Sequence, residues 1–185
     1  MKKLIVSMLA VASIATGGSA VYAHMKNPMV GGAAMYPTKN IVENAVNSKD
    51  HTTLVAAVKA AGLVDTLSSP GPFTVFAPTN EAFAKLPAGT VNTLVKPENK
   101  ATLTKILTYH VVPGTVTASQ IAAKAKAHHG LAAYKTVEGD TLRFTKSRSG
   151  GWTIMDVHGN RGRITISNVR QSNGMIHVID TVMMP

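Results

Sequence analysis

Histidine, serine and acidic residues are the side chains of this sequence that could carry chemistry, but their spacing forms no catalytic motif. The sequence contains no GxSxG segment, phosphate-binding loop, glycine-rich dinucleotide fingerprint or HExxH helix. It has no cysteine, which excludes disulfide bonds, thiolate nucleophiles and cysteine-ligated metal sites. The sequence therefore predicts a protein that is not an enzyme and that needs no cofactor.

Two histidines lie in apolar segments. His110 follows a helical pattern with an apolar stripe, and His177 lies between apolar residues in a strand-like run. Both are predicted to be buried, with hydrogen-bonded ring nitrogens, because buried polar groups are almost always paired. Contact with a partner molecule is the alternative role for His110. Asp156 and His158 could reach one metal ion, but their segment offers no third ligand, so ordinary surface residues are favoured there.

Basic residues are concentrated in the last third of the chain. Those near its glycine-containing turns are Arg143, Lys146, Arg148, Arg161, Arg163 and Arg170, and Lys124, Lys126 and Lys135 could extend the set. Adjacent hairpins would bring these positions together, with Trp152 beside them as an apolar platform. Arginine forks bind carboxylate, sulfate and phosphate groups, so an acidic polysaccharide or an anionic lipid surface is the predicted partner, rather than nucleic acid. Charge that protects an exposed sheet edge is the alternative.

Residues 1–23 have the features of a secretory signal peptide. Lys2 and Lys3 precede an apolar run, and small residues at Val21 and Ala23 suit a signal peptidase. The run is too short for a membrane span, so we predict cleavage after Ala23 and export to the periplasm or the cell exterior. The net charge of the whole chain is +10, and removing the leader leaves 17 basic against 9 acidic residues.

Residues 24–38 are rich in glycine, proline and methionine and lack periodicity, so they predict a flexible arm. Cleavage after Ala23 would make His24 the terminal residue, with Met25 and Met29 close to it. An amine, an imidazole and thioethers are copper ligands. The irregular methionine spacing favours a disordered tail. A copper-binding arm is the alternative.

Helical periodicity precedes strand periodicity in the remainder. Helices are predicted over 40–47, from 50 or 52 to 62, after Thr79, over 90–95, from 97, and from 117 to about 127. Strands are predicted over 73–77, 109–112, 134–137, 141–146, 152–156, 163–169 and 175–182. The first of these strands is apolar on nearly both faces. Helices followed by strands indicate an α+β fold in a single domain over 39–185.

Three ordered segments resemble the signatures of the fasciclin-like domain, an extracellular adhesion module. They are GPFTVFAPTNEAFAKLP over 71–87, LTYHVVPG over 107–114 and NGMIHVID over 173–180. The residues that match the family motifs are Thr79, Asn80, Tyr109, His110, His177 and Asp180.

The resemblance implies a compact wedge of twisted, sandwich-like β-sheets with several helices along one edge. It also implies an exported module that engages cell-surface or matrix components. One domain offers one weak site, so useful adhesion would need an oligomer or repeated targets on a surface. In the family, the histidine of the central motif is commonly paired with an acidic residue of the first signature. Asn80 stands at that position here and cannot stabilise an imidazolium by charge. The alternative function is a periplasmic protein that binds copper through the 24–38 arm or a small ligand in an apolar pocket.

Overall fold

The structure is a computed structural model that describes residues 27–148 and 150–185. Its helices are α1 (Ile41–Ala45), α2 (Thr52–Ala61), α3 (Val64–Ser68), α4 (Asn80–Ala84), α5 (Thr90–Leu94), α6 (Lys100–Tyr109) and α7 (Ala118–Ala127), and 3₁₀ turns at Lys49–His51 and Pro97–Asn99 precede α2 and α6. Its strands are β1 (Met29–Val30), β2 (Ala33–Ala34), β3 (Phe73–Pro78), β4 (Val111–Pro113), β5 (Leu131–Lys135), β6 (Thr141–Lys146), β7 (Trp152–Met155), β8 (Arg161–Gln171) and β9 (Gly174–Ile179). The α+β prediction is confirmed.

Strands β3 to β9 form one mixed sheet in the order β4-β3-β9-β8-β7-β6-β5. β3 and β9 run parallel, and the other neighbouring strands of this sheet are antiparallel. The sheet curls so that its edge strands, β4 and β5, meet. The backbone N–H of Val137, just after β5, donates to the carbonyl of Val111 in β4 at 2.8 Å. Its two edges thus approach each other, and this produces the sandwich-like body that the resemblance implies.

Two hydrophobic cores lie on opposite faces of β3 and β9. Val75 and Ile176 pack with the helices in the first core. Phe76 and Ile179 point into the second core, inside the curled sheet. The ring of Phe76 lies there 5.0 Å from that of Phe144. Because side chains alternate along a strand, a strand that is apolar on both faces can serve two cores at once.

Local sequence signals explain several helix ends. The Oγ1 of Thr117 accepts from the backbone N–H of Gln120 at 3.2 Å, and the Gln120 side chain accepts from the backbone of Thr117, which forms the predicted capping box of α7. Thr79 caps α4 through a hydrogen bond from the N–H of Ala82. Gly62 ends α2 in the left-handed conformation, at φ 72°, which glycine adopts without Cβ strain.

Several predicted segments differ in the structure; the strand predicted over 175–182, for example, ends at Ile179. Tyr109 was predicted to begin an extended segment, but it is the last residue of α6, and His110 follows as the C-cap. The helix continues because Tyr109 packs its side chain into the second core, where it is fully buried. β5 begins at Leu131, three residues before its predicted start.

The prediction of a flexible arm is wrong for residues 27–38. β1 and β2 pair as a small antiparallel hairpin, and Val30 and Met35 are only 4% and 2% exposed, in the first core. The side chain of Asn44 also accepts from the N–H of Tyr36 at 3.0 Å and donates to its carbonyl at 2.8 Å. Two buried apolar side chains and an amide clamp therefore attach this segment, although its sequence lacks periodicity.

Gly174 marks the point where β9 begins beside β3. A Cβ at this position would overlap the carbonyl oxygen of Phe73, its register partner. We expect Gly174→Ala to lower the free energy of unfolding by more than about 3 kcal/mol, because the β3 backbone has to move. Chemical denaturation followed by circular dichroism measures this change. Gly151→Ala is the control, since a Cβ there has no neighbour within 4 Å, and an equal loss in both variants would contradict the explanation.

Candidate functional site

His110 is buried beneath the C-terminal tail. Its Nδ1 donates to the carbonyl of Ile106 at 2.8 Å, and its Nε2 accepts from the backbone N–H of Met183 at 3.0 Å. The side chain is 2% exposed. Burial lowers the pKa of His110 to about 4, and the hydrogen bond to Ile106 offsets this only in part. A neutral imidazole therefore joins the end of α6 to the tail.

His177 occupies the interior of the curled sheet. Its Nε2 donates to the carbonyl of Val116 at 2.8 Å, and its Nδ1 accepts from the N–H of Asn168 at 3.4 Å. Its ring stacks on Phe76, with centroids 5.3 Å apart. Burial lowers the pKa of His177, so this imidazole is also neutral at physiological pH. It connects β9 to the segment before α7 and to β8.

Tyr109 and Asp180 also bind backbone groups of neighbouring segments. The hydroxyl of Tyr109 donates to the carbonyl of Thr141 at 3.2 Å and accepts from the N–H of Val157 at 3.1 Å. Asp180 accepts from the backbone N–H of Arg163 at 2.7 Å and from its Nε at 3.2 Å. Burial raises the pKa of Asp180, but these hydrogen bonds outweigh it and hold the pKa below its usual value.

Asp156 is an anchor that the sequence analysis missed. It is 1% exposed, and its carboxylate accepts from the backbone N–H groups of His158, Asn160 and Met184. Backbone donors from a turn and from the tail thus converge on one carboxylate. The Asp-x-His spacing suggested a metal pair, but the Nε2 of His158 instead lies 3.1 Å from the carbonyl oxygen of Pro185. No local pattern could have revealed this role, because Met184 lies far along the chain.

Thr79 and Asn80 serve helix ends rather than His110. The side chain of Asn80 accepts from the N–H of Thr53, in the first turn of α2, at 3.0 Å. It also donates to the carbonyl of Lys49 at 2.8 Å. The histidine pairing that the resemblance implied therefore does not occur through Asn80, whose amide is already occupied at the start of α2.

Two small apolar cavities lie between the helices and the sheet. Their volumes are about 40 Å³ and about 30 Å³, and Ile41, Leu54 and Val75 line both. Pockets for small-molecule ligands have volumes of roughly 300–1,000 Å³, so these spaces suit a water-sized group. His51 lines the smaller cavity. Burial lowers the pKa of His51, and the backbone carbonyl of Ala77 offsets this in part. Within the described part of the chain, the Nε2 of His51 has no hydrogen-bond partner.

Three of the six predicted basic residues share one sheet face. Strand register places Arg143, Met155 and Arg161 in one row across β6, β7 and β8, and Arg163 lies in the next row opposite Thr153. The three arginines are exposed on the face opposite the second core. We call Arg143, Arg161 and Arg163 the basic face. Lys135 of β5 lies on the same face, because it is two residues from Ala133, which pairs with Arg143.

The other predicted basic residues lie elsewhere, so the single six-residue cluster is wrong. Lys146 belongs to the opposite face of β6, where it pairs with Trp152. Arg148 is exposed in the turn after β6. Arg170 lies roughly 20 Å along β8 from the basic face, and it lines a separate groove of about 420 Å³. Strand alternation and the length of β8 separate residues that the sequence grouped.

Of the three candidate metal ligands, only Met29 lies among the described residues. His24 and Met25 lie outside the described residues, and Met29 is 58% exposed in β1. Among residues 27–148 and 150–185, no three histidine or acidic side chains converge as metal ligands would. In the same ranges, every helix is too short or too polar to cross a membrane. The predicted leader over 1–23 also lies outside the described residues.

The structure is a curled α+β body in which the motif residues Tyr109, His110 and His177 are buried. The fasciclin domain model matches residues 49–185, and the chain belongs to the fasciclin domain family. Protein sll1483 of Synechocystis sp. is 49% identical over 160 residues, which cover 86% of this chain and 81% of that protein. The cell surface glycolipoprotein MPB83 of Mycobacterium bovis is 32% identical over 92% of this chain and 66% of its own length.

A solved structure has the same fold. It is the FAS1 domain pair of the insect cell adhesion molecule Fasciclin I, which aligns with a TM-score of 0.55 and 21% identity. The alignment covers 71% of this chain and 43% of that one. The fold that the resemblance implied is therefore confirmed.

The buried histidines should make this fold sensitive to acid. In the unfolded chain His110 regains its ordinary pKa of 6.5, so the unfolded state binds a proton while the native state still resists it. The contribution of His110 to the free energy of unfolding is therefore fully present above pH 6.5. It decreases as the pH falls to about 4, by about 3 kcal/mol. Urea unfolding across this range measures the loss.

Two variants separate His110 from general acid effects. His110→Gln is expected to be less stable at neutral pH, because it loses core hydrogen bonds, but to lose less additional stability in acid. His128→Gln removes an exposed histidine and should keep the acid dependence of the parent chain. An unchanged acid dependence in His110→Gln would contradict the assignment.

Proposed function

We propose that this chain is an exported, non-enzymatic adhesion module that binds an acidic polysaccharide of a cell surface or matrix through its basic face. Family membership supports the general role, since MPB83 is named as a cell surface protein and Fasciclin I as a cell adhesion molecule. The single observation that carries the ligand class is the placement of three exposed arginines on one sheet face.

The spacing of the basic face suits a repeating polyanion. Arg143 and Arg161 are separated by the width of two strand intervals, about 10 Å, and Arg163 lies about 7 Å further along β8. Guanidinium groups bind carboxylate and sulfate in a bidentate manner. A chain with acidic groups at regular intervals could therefore contact more than one arginine at once.

The charge of the basic face is only partly compensated by the protein. Arg163 forms an ion pair with Asp180, with 3.2 Å between Nε and Oδ2. Within the ranges that the structure describes, neither Arg143 nor Arg161 forms an ion pair. These two arginines therefore supply most of the attraction for an anionic partner. Such exposed contacts are individually weak, so useful adhesion requires repeated targets or an oligomer.

The variant Arg143→Gln/Arg161→Gln tests this face. We expect binding to immobilised heparin to weaken about tenfold, because two exposed charge contacts contribute roughly 0.7 kcal/mol each. The salt dependence of binding should also become shallower. Biosensor titrations at two or more salt concentrations measure both quantities.

The matched control is Lys96→Gln/Lys100→Gln. It removes the same charge from exposed positions on other elements. If net charge alone drives heparin binding, both double variants lose the same affinity, and that result would contradict a role for the basic face.

The proposal also requires export. We expect N-terminal sequencing of the protein recovered from the periplasm or the culture medium to begin at His24, because small residues precede that bond. Replacing Ala23 by a bulky residue such as phenylalanine should block processing at this position. A chain that keeps Met1 after export would show that the predicted cleavage is wrong.

A further inference from the structure

His51 is a buried imidazole beneath the β1–β2 hairpin, and one of its ring nitrogens is unpaired. The side chain is 3% exposed, and its Nδ1 lies 2.9 Å from the Oγ of Ser48. Its Nε2 has no hydrogen-bond partner among the described residues. An imidazolium donates from both ring nitrogens, so it needs an acceptor at each of them. The site therefore favours the neutral ring.

The cavity beside His51 has apolar walls. The hairpin covers it with Val30 and Met35. Helices α1 and α2 and strands β3, β8 and β9 supply the other walls through side chains such as Ile41, Leu54, Val75, Val169 and Ile176. None of these residues carries a charge. A positive charge on the ring would therefore be poorly solvated while the hairpin lies in place.

The charged groups near His51 lie outside this cavity. Lys49 and Asp50 belong to its own 3₁₀ turn, Glu81 lies on the neighbouring helix α4, and all three are exposed. Burial lowers the pKa of His51, while the carbonyl of Ala77 and the carboxylate of Asp50 offset this only in part. Protonation thus costs free energy in the closed structure, and the cost falls when water reaches the ring.

The hairpin rests directly on the turn that carries His51. The carbonyl of Gly31, in the hairpin turn, accepts from the backbone N–H of Lys49 at 3.1 Å. A Cβ at Gly31 would overlap the Oγ of Ser48 and the backbone nitrogen of Asp50. The approach is therefore as close as a glycine allows, and a change in this turn acts on the hairpin at once.

We propose that protonation of His51 in mild acid releases the β1–β2 hairpin while the remainder of the fold stays closed. Tyr36 is the hinge, because the side chain of Asn44 holds both its N–H and its carbonyl. Lifting residues 28–35 admits water to the imidazolium and uncovers the apolar wall beneath Val30 and Met35. The inference goes beyond the proposed function and makes no use of the basic face.

The hairpin should open as the pH falls. With the hairpin lifted, His51 regains its ordinary pKa of 6.5, whereas the closed structure resists the proton. The closed hairpin is therefore fully favoured above pH 6.5 and is lost progressively below it. Uptake of one proton on opening multiplies the opening constant about tenfold between pH 7.5 and pH 5.5.

Amide hydrogen exchange of the full chain at these two pH values, corrected for the intrinsic exchange rate, measures the opening. The N–H groups of Met35 and Lys49 are hydrogen-bonded within and against the hairpin, and that of Phe76 lies in the sheet. We expect the two hairpin amides to exchange faster than Phe76 at both pH values, and about tenfold faster at pH 5.5 than at pH 7.5. Hairpin amides that exchange only as fast as Phe76 would show global unfolding, and that result would overturn the proposal.

His51→Gln removes the titrating ring. The corrected exchange of its hairpin amides should be nearly equal at the two pH values. The matched control is His110→Gln, which removes a different buried histidine and should keep the tenfold acceleration of the hairpin amides. Equal acceleration in His51→Gln and in the parent chain would overturn the role of His51.

Gly31→Ala tests the same coupling without changing His51. The added Cβ has no room against the turn of Ser48 and Asp50, so the hairpin is lifted at neutral pH. By linkage, the midpoint of the His51 titration, followed by NMR of the imidazole, should rise to the ordinary value of 6.5. Gly32→Ala is the control, because a Cβ there has no neighbour within 4 Å and the midpoint should stay low. An unchanged midpoint in Gly31→Ala would refute the coupling between the hairpin and His51.

Discussion

The parallel pairing of β9 with β3 is the constraint on which the rest of the structure depends. β3 lies before most of the other strands and β9 lies near the C-terminus, so the chain must return across its whole length to form the pair. Five of the six residues of β9 are buried, which places this strand between the two cores. Neither core can close until β9 is in place. Such a long-range pairing gains its packing energy only after a large loss of chain entropy.

Two motif histidines, the motif residue Asp180 and the non-motif residue Asp156 hold the returning chain in place. His177 ties β9 to neighbouring backbone, while His110 and Asp156 accept from consecutive backbone N–H groups, those of Met183 and Met184. Asp180 fixes the end of β9 to β8 through Arg163. Each is a polar group that would be costly to bury without its partner. The hydrogen bonds to His110 and Asp156 together hold the segment after β9 against the body, in a sequence that has no cysteine.

This arrangement divides the molecule into an internal framework and an external surface. Three of the side chains that carry the family resemblance, those of Tyr109, His110 and His177, are buried and hydrogen-bonded to backbone groups. Arg143, Arg161 and Arg163, which form the basic face, lie on β6 and β8. The curled sheet keeps these strands rigid, because their inner side chains, such as Phe144 and Ile154, are fully buried. A rigid support would let the exposed arginines of the basic face meet a partner with little loss of ordering entropy.

Much of this could be read from local chemistry. The apolar β3, the capping box at Thr117, the helix end at Gly62 and the hairpins after Thr141 follow from short-range patterns, because turns and caps are decided within a few residues. The burial of His110 and His177 also followed from their apolar neighbours. By contrast, the 27–38 hairpin lacked any periodic signal, since its attachment depends on Val30 and Met35 reaching a core built elsewhere.

The sequence by itself thus determined the α+β class and the overall positive charge, since composition, periodicity and caps are local properties. The tertiary structure alone decided which side chains meet. Strand register placed Arg143 with Arg161 and moved Lys146 to the other face beside Trp152, because successive residues of a strand point to opposite sides. It also brought the tail onto His110 and Asp156, a contact between distant segments that no local pattern encodes.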